Sequence, residues 1–250
     1  MKLLHISDIH LRRDDKVSAC GWKRLQALVA DLRPDLIVNT GDNVHDDPHA
    51  AADQNFAAAC LRDLGIEVLS IPGNHDVGDG PPRATAPEPA LLAAYPARFG
   101  SPHWVRGFGA WRLVGVDSML LGAAVAAEAD EWRWLEQALQ GGSEPVALFM
   151  HKPPFLEGPD EDAAGSAAMP PDARRRLWAL VRAHDVRLIG CGHRHEYRAV
   201  LCQGVLSVWA PTTSTLLDEV TSPFSPLPFP GAVEYCFSGQ TVLHRVIPLA

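Results

Sequence analysis

The 250-residue chain is poor in the features that mark several protein classes. Its five cysteines, Cys20, Cys60, Cys191, Cys202 and Cys236, are scattered, odd in number and include no CxxC pair. That pattern argues against a disulfide framework and against a thiolate zinc site, and it fits a reducing cytoplasm. No run of 18 apolar residues is present to span a membrane. The one lysine and short apolar stretch before Asp8 are too short and too polar for a secretory signal. Basic residues are outnumbered, 22 Lys and Arg against 30 Asp and Glu for a net charge of -8, which argues against a protein that grips extended nucleic acid by neutralising phosphates. The clusters Arg12-Arg13 and Arg174-Arg175-Arg176 are too small to reverse that and read as solvated faces. Internal repeats are absent as well.

What is present is an ordinary globular balance, 47% hydrophobic and 21% charged, enough to bury a sizeable core in one domain over residues 1–250. The run KLLHIS reads as a buried strand. Apolar residues at helical spacing over Trp22–Leu32 (Trp22, Leu25, Leu28, Val29, Leu32) predict a helix that Pro34 ends before a strand over 35–40. Helix 50–64 and strand 66–71 repeat the scheme. Strand 111–117, helix 128–140, strand 146–150, helix 172–183 and strand 187–190 continue it, while 197–209 and 233–247 read as hairpins. Successive βα units with strands too apolar to face water imply a largely parallel sheet covered by helices, with a second sheet packed on it. The stretches 77–89, 153–171 and 221–231 break the pattern. Long Pro-rich loops of this kind act as functional lids or linkers, and the first two, which follow polar motifs, are expected to contact substrate.

Five polar clusters stand at the ends of predicted strands: Asp8-Ile9-His10, Gly41-Asp42-Asn43, Gly73-Asn74-His75-Asp76, His151 and Gly192-His193-Arg194-His195. In an open α/β sheet the C-terminal rim of the strands is where ligands bind, so the clusters are expected to converge there. Asp, Asn and His are oxygen and imidazole donors suited to borderline divalent ions such as Zn, Mn, Fe or Ni. The Asp-x-His and His-x-His spacings would point both side chains to one side of a strand, because side chains alternate with period two. Gly41, Gly73 and Gly192 would let the backbone turn tightly beside the cluster. Each motif alone is weak, since a lone strand-end His is more often structural and Gly-Asp-Asn alone is a turn. Their joint occurrence points to a site. Ser7 lacks a G-x-S-x-G context, and Gly107-x-Gly109 and Gly190-x-Gly192 lack the third glycine of a dinucleotide fingerprint.

The ordered runs MKLLHISDIHL, NTGDN, IPGNHD, MHKPP and GCGHRH resemble the calcineurin-like metallophosphoesterases, with the likeness covering residue 2 to about 210. That resemblance implies an α/β fold, a four-layer αββα sandwich of two mixed β-sheets flanked by helices. It implies that Asp8, His10 and His195 bind one metal, that Asn74, His151 and His193 bind another, and that Asp42 bridges them. His75 would lie outside both sets, facing the substrate to stabilise or protonate the leaving oxygen. Two such ions, Mn, Fe, Zn or Ni, could share a water and lower its pKa, so that a bridging hydroxide attacks the phosphoester in line. Many relatives read G-D-x-x-D, the second Asp orienting the active-site His; His45 stands there in this chain, followed by Asp46 and Asp47. Asp46 and Asp76 are therefore both candidates to partner His75, and His45 is a candidate to line the substrate pocket.

Substrate choice lies in the loops. The compact layout and the segment Trp209–Ser214 resemble the cyclic-nucleotide and glycerophosphodiester phosphodiesterases of the superfamily, so a small phosphodiester is the expected substrate. The alternatives are a phosphomonoesterase or single-strand nuclease on the same core, or a non-catalytic scaffold. The scaffold would be expected to have lost ligands that are all present here. Asn74, His75, His45 and Arg194 are candidate substrate contacts, with Arg83 and Lys152 behind them; alternation places Arg194 away from the metals. His49, His103, His184 and His244 read as structural or surface residues. No membrane partner is expected, and self-association is left open.

Overall fold

The computed structural model describes residues 1–45, 47–79, 86–162, 165–214 and 229–249. Strand β1 (Lys2–Ile6) is buried beyond its first residue because it lies mid-sheet with a neighbour on each side. Asp15 caps helix α1 (Lys16–Leu32) by accepting from the main-chain amides of Val17 and Ser18, both at 3.0 Å. The cap moves the helix start ahead of the first periodic apolar residue, Trp22. Strand β2 (Leu36–Asn39), helix α2 (Ala51–Arg62), strand β3 (Val68–Ser70) and the single turn α3 (Asn74–Val77) follow.

Besides the single turn α3, two elements escaped the reading of the sequence. Helix α4 (Pro89–Phe99) opens on Pro89 and carries Pro96 inside, a composition that reads as loop, yet Leu91, Tyr95 and Phe99 recur at helical spacing and bury one face. Strand β4 (Trp104–Phe108) has three exposed residues and no alternating signal, and it exists through antiparallel pairing with β5 (Trp111–Gly115). Helix α5 (Glu128–Leu139), strand β6 (Val146–Phe149), helix α6 (Pro171–Ala183) and strand β7 (Val186–Cys191) lead to the hairpins β8 (Arg198–Cys202) with β9 (Val205–Trp209) and β10 (Gly231–Ser238) with β11 (Thr241–Pro248).

The strands form two mixed sheets, ordered β11-β10-β1-β2-β3 and β4-β5-β6-β7-β9-β8. One apolar cluster, with Leu3, Val38, Trp111, Phe149, Leu188 and Tyr235, fills the space between them. A second backs the first sheet with α1, α2 and α4, and a third backs the other with α5 and α6, completing four layers. Within the central layer His5 is fully buried, 2.9 Å from Thr40 Oγ1 and 5.5 Å by ring centroids from Phe149. The parallel strands β1, β2 and β3, and likewise β5, β6 and β7, bring their C-terminal ends to the same rim.

Candidate metal centre

The rim collects the five polar clusters, although not by the pleat. Strand β1 ends at Ile6 and β7 at Cys191, so Asp8, His10, His193 and His195 all lie beyond regular strand. Asp8, His10, Asp42, His193 and His195 instead have φ of 51, 43, 55, 70 and 53°, in the left-handed region that non-glycine residues rarely occupy. These side chains are therefore not presented by strand alternation, which corrects that expectation. Such strain persists only where the surroundings over-determine it. Here the amides of Asp8 and His10 donate to the Gly41 and Asp42 carbonyls at 2.9 and 3.0 Å, and Thr212 and Thr213 hydroxyls bond the carbonyls of Asp8 and Ser7 at 2.8 and 2.6 Å. Glycine also acts differently from expectation. Gly41 alone of the three has positive φ, while a Cβ at Gly73 would stand 2.2 Å from Asp42 Oδ1 and one at Gly192 1.9 Å from Ser7 Oγ. Close approach, rather than turning, requires Gly73 and Gly192.

Two donor sets result, able to hold one ion each and sharing Asp42: Asp8, His10, Asp42 and His195, and Asp42, His151 and His193. Asn74 joins the second, its Oδ1 3.0 Å from His151 Nε2. The ring tautomers follow from main-chain carbonyls, which can only accept. His10 Nδ1 lies 3.2 Å from the Val44 carbonyl, His151 Nδ1 2.8 Å from that of Thr40, and His193 Nε2 2.7 Å from that of Ser166, in the 153–171 stretch. Each of those nitrogens carries the proton, leaving the opposite nitrogen as a lone pair. His151 Nε2 and His193 Nδ1 are thus two acceptors 3.2 Å apart, with Asp42 Oδ2 3.4 Å from the first. In the first set the free lone pair of His10 Nε2 lies 3.1 Å from His195 Nε2, which in turn stands 3.2 Å from buried Asp8 Oδ1. Acceptors gathered this closely repel unless a cation stands among them, so the residues fit two divalent ions.

The electrostatics point the same way. Burial pushes the Asp42 carboxyl well above the usual range, and the nearby Asp8 and Asp76 push it further. Burial alone would raise Asp8, but the imidazoles of His195, His151 and His10 outweigh it and hold it low. Burial lowers His151 to about 4, and lowers His10 and His193 as well, so these three imidazoles are neutral at pH 7, the state a metal needs.

The residues around the two donor sets sort themselves. Asp76, a candidate partner for His75, is committed elsewhere: its carboxylate accepts from the amides of Asn43 and Gly73, both at 2.9 Å, and from Asn43 Nδ2 at 3.0 Å. It ties the β2 and β3 loops together and does not orient His75. Burial raises it to about 6 against those hydrogen bonds. Asn39 completes this tie from below, 2.6 Å from Asn43 Oδ1. The His75 ring bonds the main chain of His45 and meets His10 edge-on with centroids 4.9 Å apart. Burial lowers the His75 pKa, against the His45 bond. His45 lies near the first set, 5.6 Å from His10 by ring centroids. Arg194 is half-buried, its Nε without a partner. Lys152 forms a buried ion pair with Asp79. Asp46, Arg83 and most of 221–231 lie outside the described residues.

The fold and this donor arrangement define a dinuclear hydrolase class, and the sequence carries the assignment further. The profile of the Calcineurin-like phosphoesterase family matches residues 1–197. The chain belongs to that family and is a metal-dependent phosphoester hydrolase. It is 28% identical over 245 residues to a 3',5'-cyclic adenosine monophosphate phosphodiesterase of Vibrio vulnificus, covering 90% of this chain and 81% of that one. It is 33% identical over 211 residues to a glycerophosphodiester phosphodiesterase of Enterobacter lignolyticus, covering 78% and 71%. In fold it is similar to a dimetal phosphatase of Danio rerio, with TM-score 0.65 at 14% identity over 100% of this chain and 96% of the other. A purple acid phosphatase of yellow lupin superposes with TM-score 0.72 at 14% identity over 100% of this chain, which spans 51% of the plant enzyme. Among the described residues no helix is long and apolar enough to cross a membrane.

Proposed function

We propose that the chain hydrolyses a small phosphodiester, of cyclic-nucleotide or glycerophosphodiester type. Asp8, His10, Asp42 and His195 would hold one ion, and Asp42, Asn74, His151 and His193 the other. The observation that carries this reading is the pair of acceptor clusters sharing Asp42, in a chain whose relatives named above for a substrate are diesterases. Divalent ions, when bound, supply an ionised water at neutral pH and neutralise phosphate oxygens. Mn, Fe, Zn and Ni all accept this oxygen and imidazole set.

The chain's own contribution is to hold and aim. Carbonyls of Val44, Thr40 and Ser166 lock three ligand imidazoles in one tautomer, so no ring must reorient when the ions bind. His75 is the proton carrier. Its bond to the His45 main chain occupies one ring nitrogen, and its lowered pKa leaves the other unprotonated at rest. It therefore acquires the proton for the leaving oxygen only beside the anionic substrate. Charge supports a diester. Lys152, next to the ligand His151, is already matched by Asp79, and a singly charged diester demands less added positive charge than a doubly charged monoester.

A substrate panel with Mn tests the reading: an activated diester, an activated monoester, cyclic nucleotides, glycerophosphodiesters and short oligonucleotides. The small diesters are expected to exceed the monoester in kcat/KM by about tenfold or more. A monoester turned over as fast, or an oligonucleotide turned over faster, would overturn the substrate class while leaving the metal centre standing.

A further inference from the structure

Ser118 lies three residues past the end of β5, in a stretch without sequence signature, and is 2% exposed. Its hydroxyl oxygen stands 3.1 Å from the main-chain nitrogen of His151 and 2.9 Å from that of Lys152, and it accepts from both amides. A hydroxyl oxygen has two lone pairs, so a single serine can satisfy two converging N–H groups. These amides lie just past the end of β6, where the sheet ladder no longer supplies an acceptor. The serine is itself bracketed. Glu131 Oε1 accepts from the Asp117 amide at 2.9 Å, and Asp117 Oδ1 accepts from the Met119 amide at 3.0 Å. Glu131 is anchored in turn by its other oxygen, 2.8 Å from His103 Nδ1.

We propose that Ser118 is a positioning residue for one half of the metal centre: through the His151 and Lys152 amides it sets the His151 ring against Asn74 and His193 and seats Lys152 against Asp79. The proposal rests on the two-metal reading above. The hydroxyl bonds no residue of the set Asp8, His10 and His195, so its effect is confined to the His151 side. Replacing it by alanine leaves two buried amides without an acceptor and frees the backbone that carries the ligand.

The test is Mn(II) titration of the metal-stripped full chain, followed by electron paramagnetic resonance of free Mn. Wild type is expected to bind two ions. In Ser118→Ala one dissociation constant should weaken by roughly 10–100-fold while the other is unchanged, and Ser118→Thr, which keeps the oxygen, should restore the first. Should Ser118→Ala not fold, Ser118→Cys, a near-isosteric weak acceptor, should show a smaller loss at the same single site. Either variant folded with both constants unchanged, or with both weakened equally, overturns the proposal. A wild-type chain binding fewer than two ions overturns the centre itself.

Discussion

The two halves of the centre are built on opposite plans. Asp8, His10, Asp42 and His195 are all buried, none more than 4% exposed, and only His10 has its outer nitrogen on a carbonyl; His195 Nδ1 has no partner. In the other half Asn74 and His193 are half-buried, yet both imidazoles are tethered by carbonyls and the His151 main chain is held by Ser118. Both halves are hydrogen-bonded, but every donor of the first is buried, whereas the second joins fully buried His151 to the half-buried Asn74 and His193. A site that must hold ions and still admit substrate needs both, since burial excludes water and ligand alike whereas hydrogen bonds give precision where burial cannot.

The largest effect should come from removing what the halves share. Asp42→Ala is expected to lose both ions and lower turnover by more than about a thousandfold, read by metal analysis and kinetics; retention of one full equivalent would mean that the halves do not share a bridge. His75→Ala should lower turnover by roughly 100- to 10,000-fold with two ions still bound, because the ring bonds His45 and lies outside both donor sets. Intact turnover would end its assignment as proton carrier. Removal of one ligand from each half sharpens the contrast. His195→Ala should cost metal affinity and thermal stability together, while Asn74→Ala should weaken one ion by about 10–100-fold with little change in Tm.

The smallest effect on catalysis concerns His5, in the core beneath the centre. Burial lowers its pKa from 6.5 to about 3, against the pull of the Asp8 carboxylate. The unfolded chain therefore binds a proton that the fold refuses, so stability is full above about pH 6.5 and falls as pH drops toward 3. At pH 4.5 the loss should be about 2–3 kcal/mol, and His5→Gln should flatten that part of the curve in urea unfolding at pH 7 and 4.5. Equal pH slopes in the two proteins would refute it.

Much of the fold was legible because its strands are short apolar runs and its helices carry apolar stripes. The parallel core and both C-terminal hairpins were readable from that periodicity alone. Helix α4 was hidden by Pro89 and Pro96, and β4 by three exposed residues that reveal nothing until β5 pairs with them. The same contrast runs through the site. Asp8, His10, Asp42, Asn74, His151, His193 and His195 could be named as candidate donors from the sequence, because donor chemistry resides in the side chain and each motif follows an apolar strand.

What the residues alone determined, then, was the chemistry of the rim: which atoms can donate to a cation, in what order, and after which strands. Only the tertiary structure decided how they converge. Left-handed φ at five of the candidate ligands, the carbonyls of Thr40, Val44 and Ser166, the His45 main chain behind His75 and the Ser118 hydroxyl behind His151 all had to be seen. Four of these contacts use main-chain groups, which every residue carries, and the fifth pairs positions 33 residues apart. A group common to all residues leaves no mark in a sequence. Its role is set by where packing brings it.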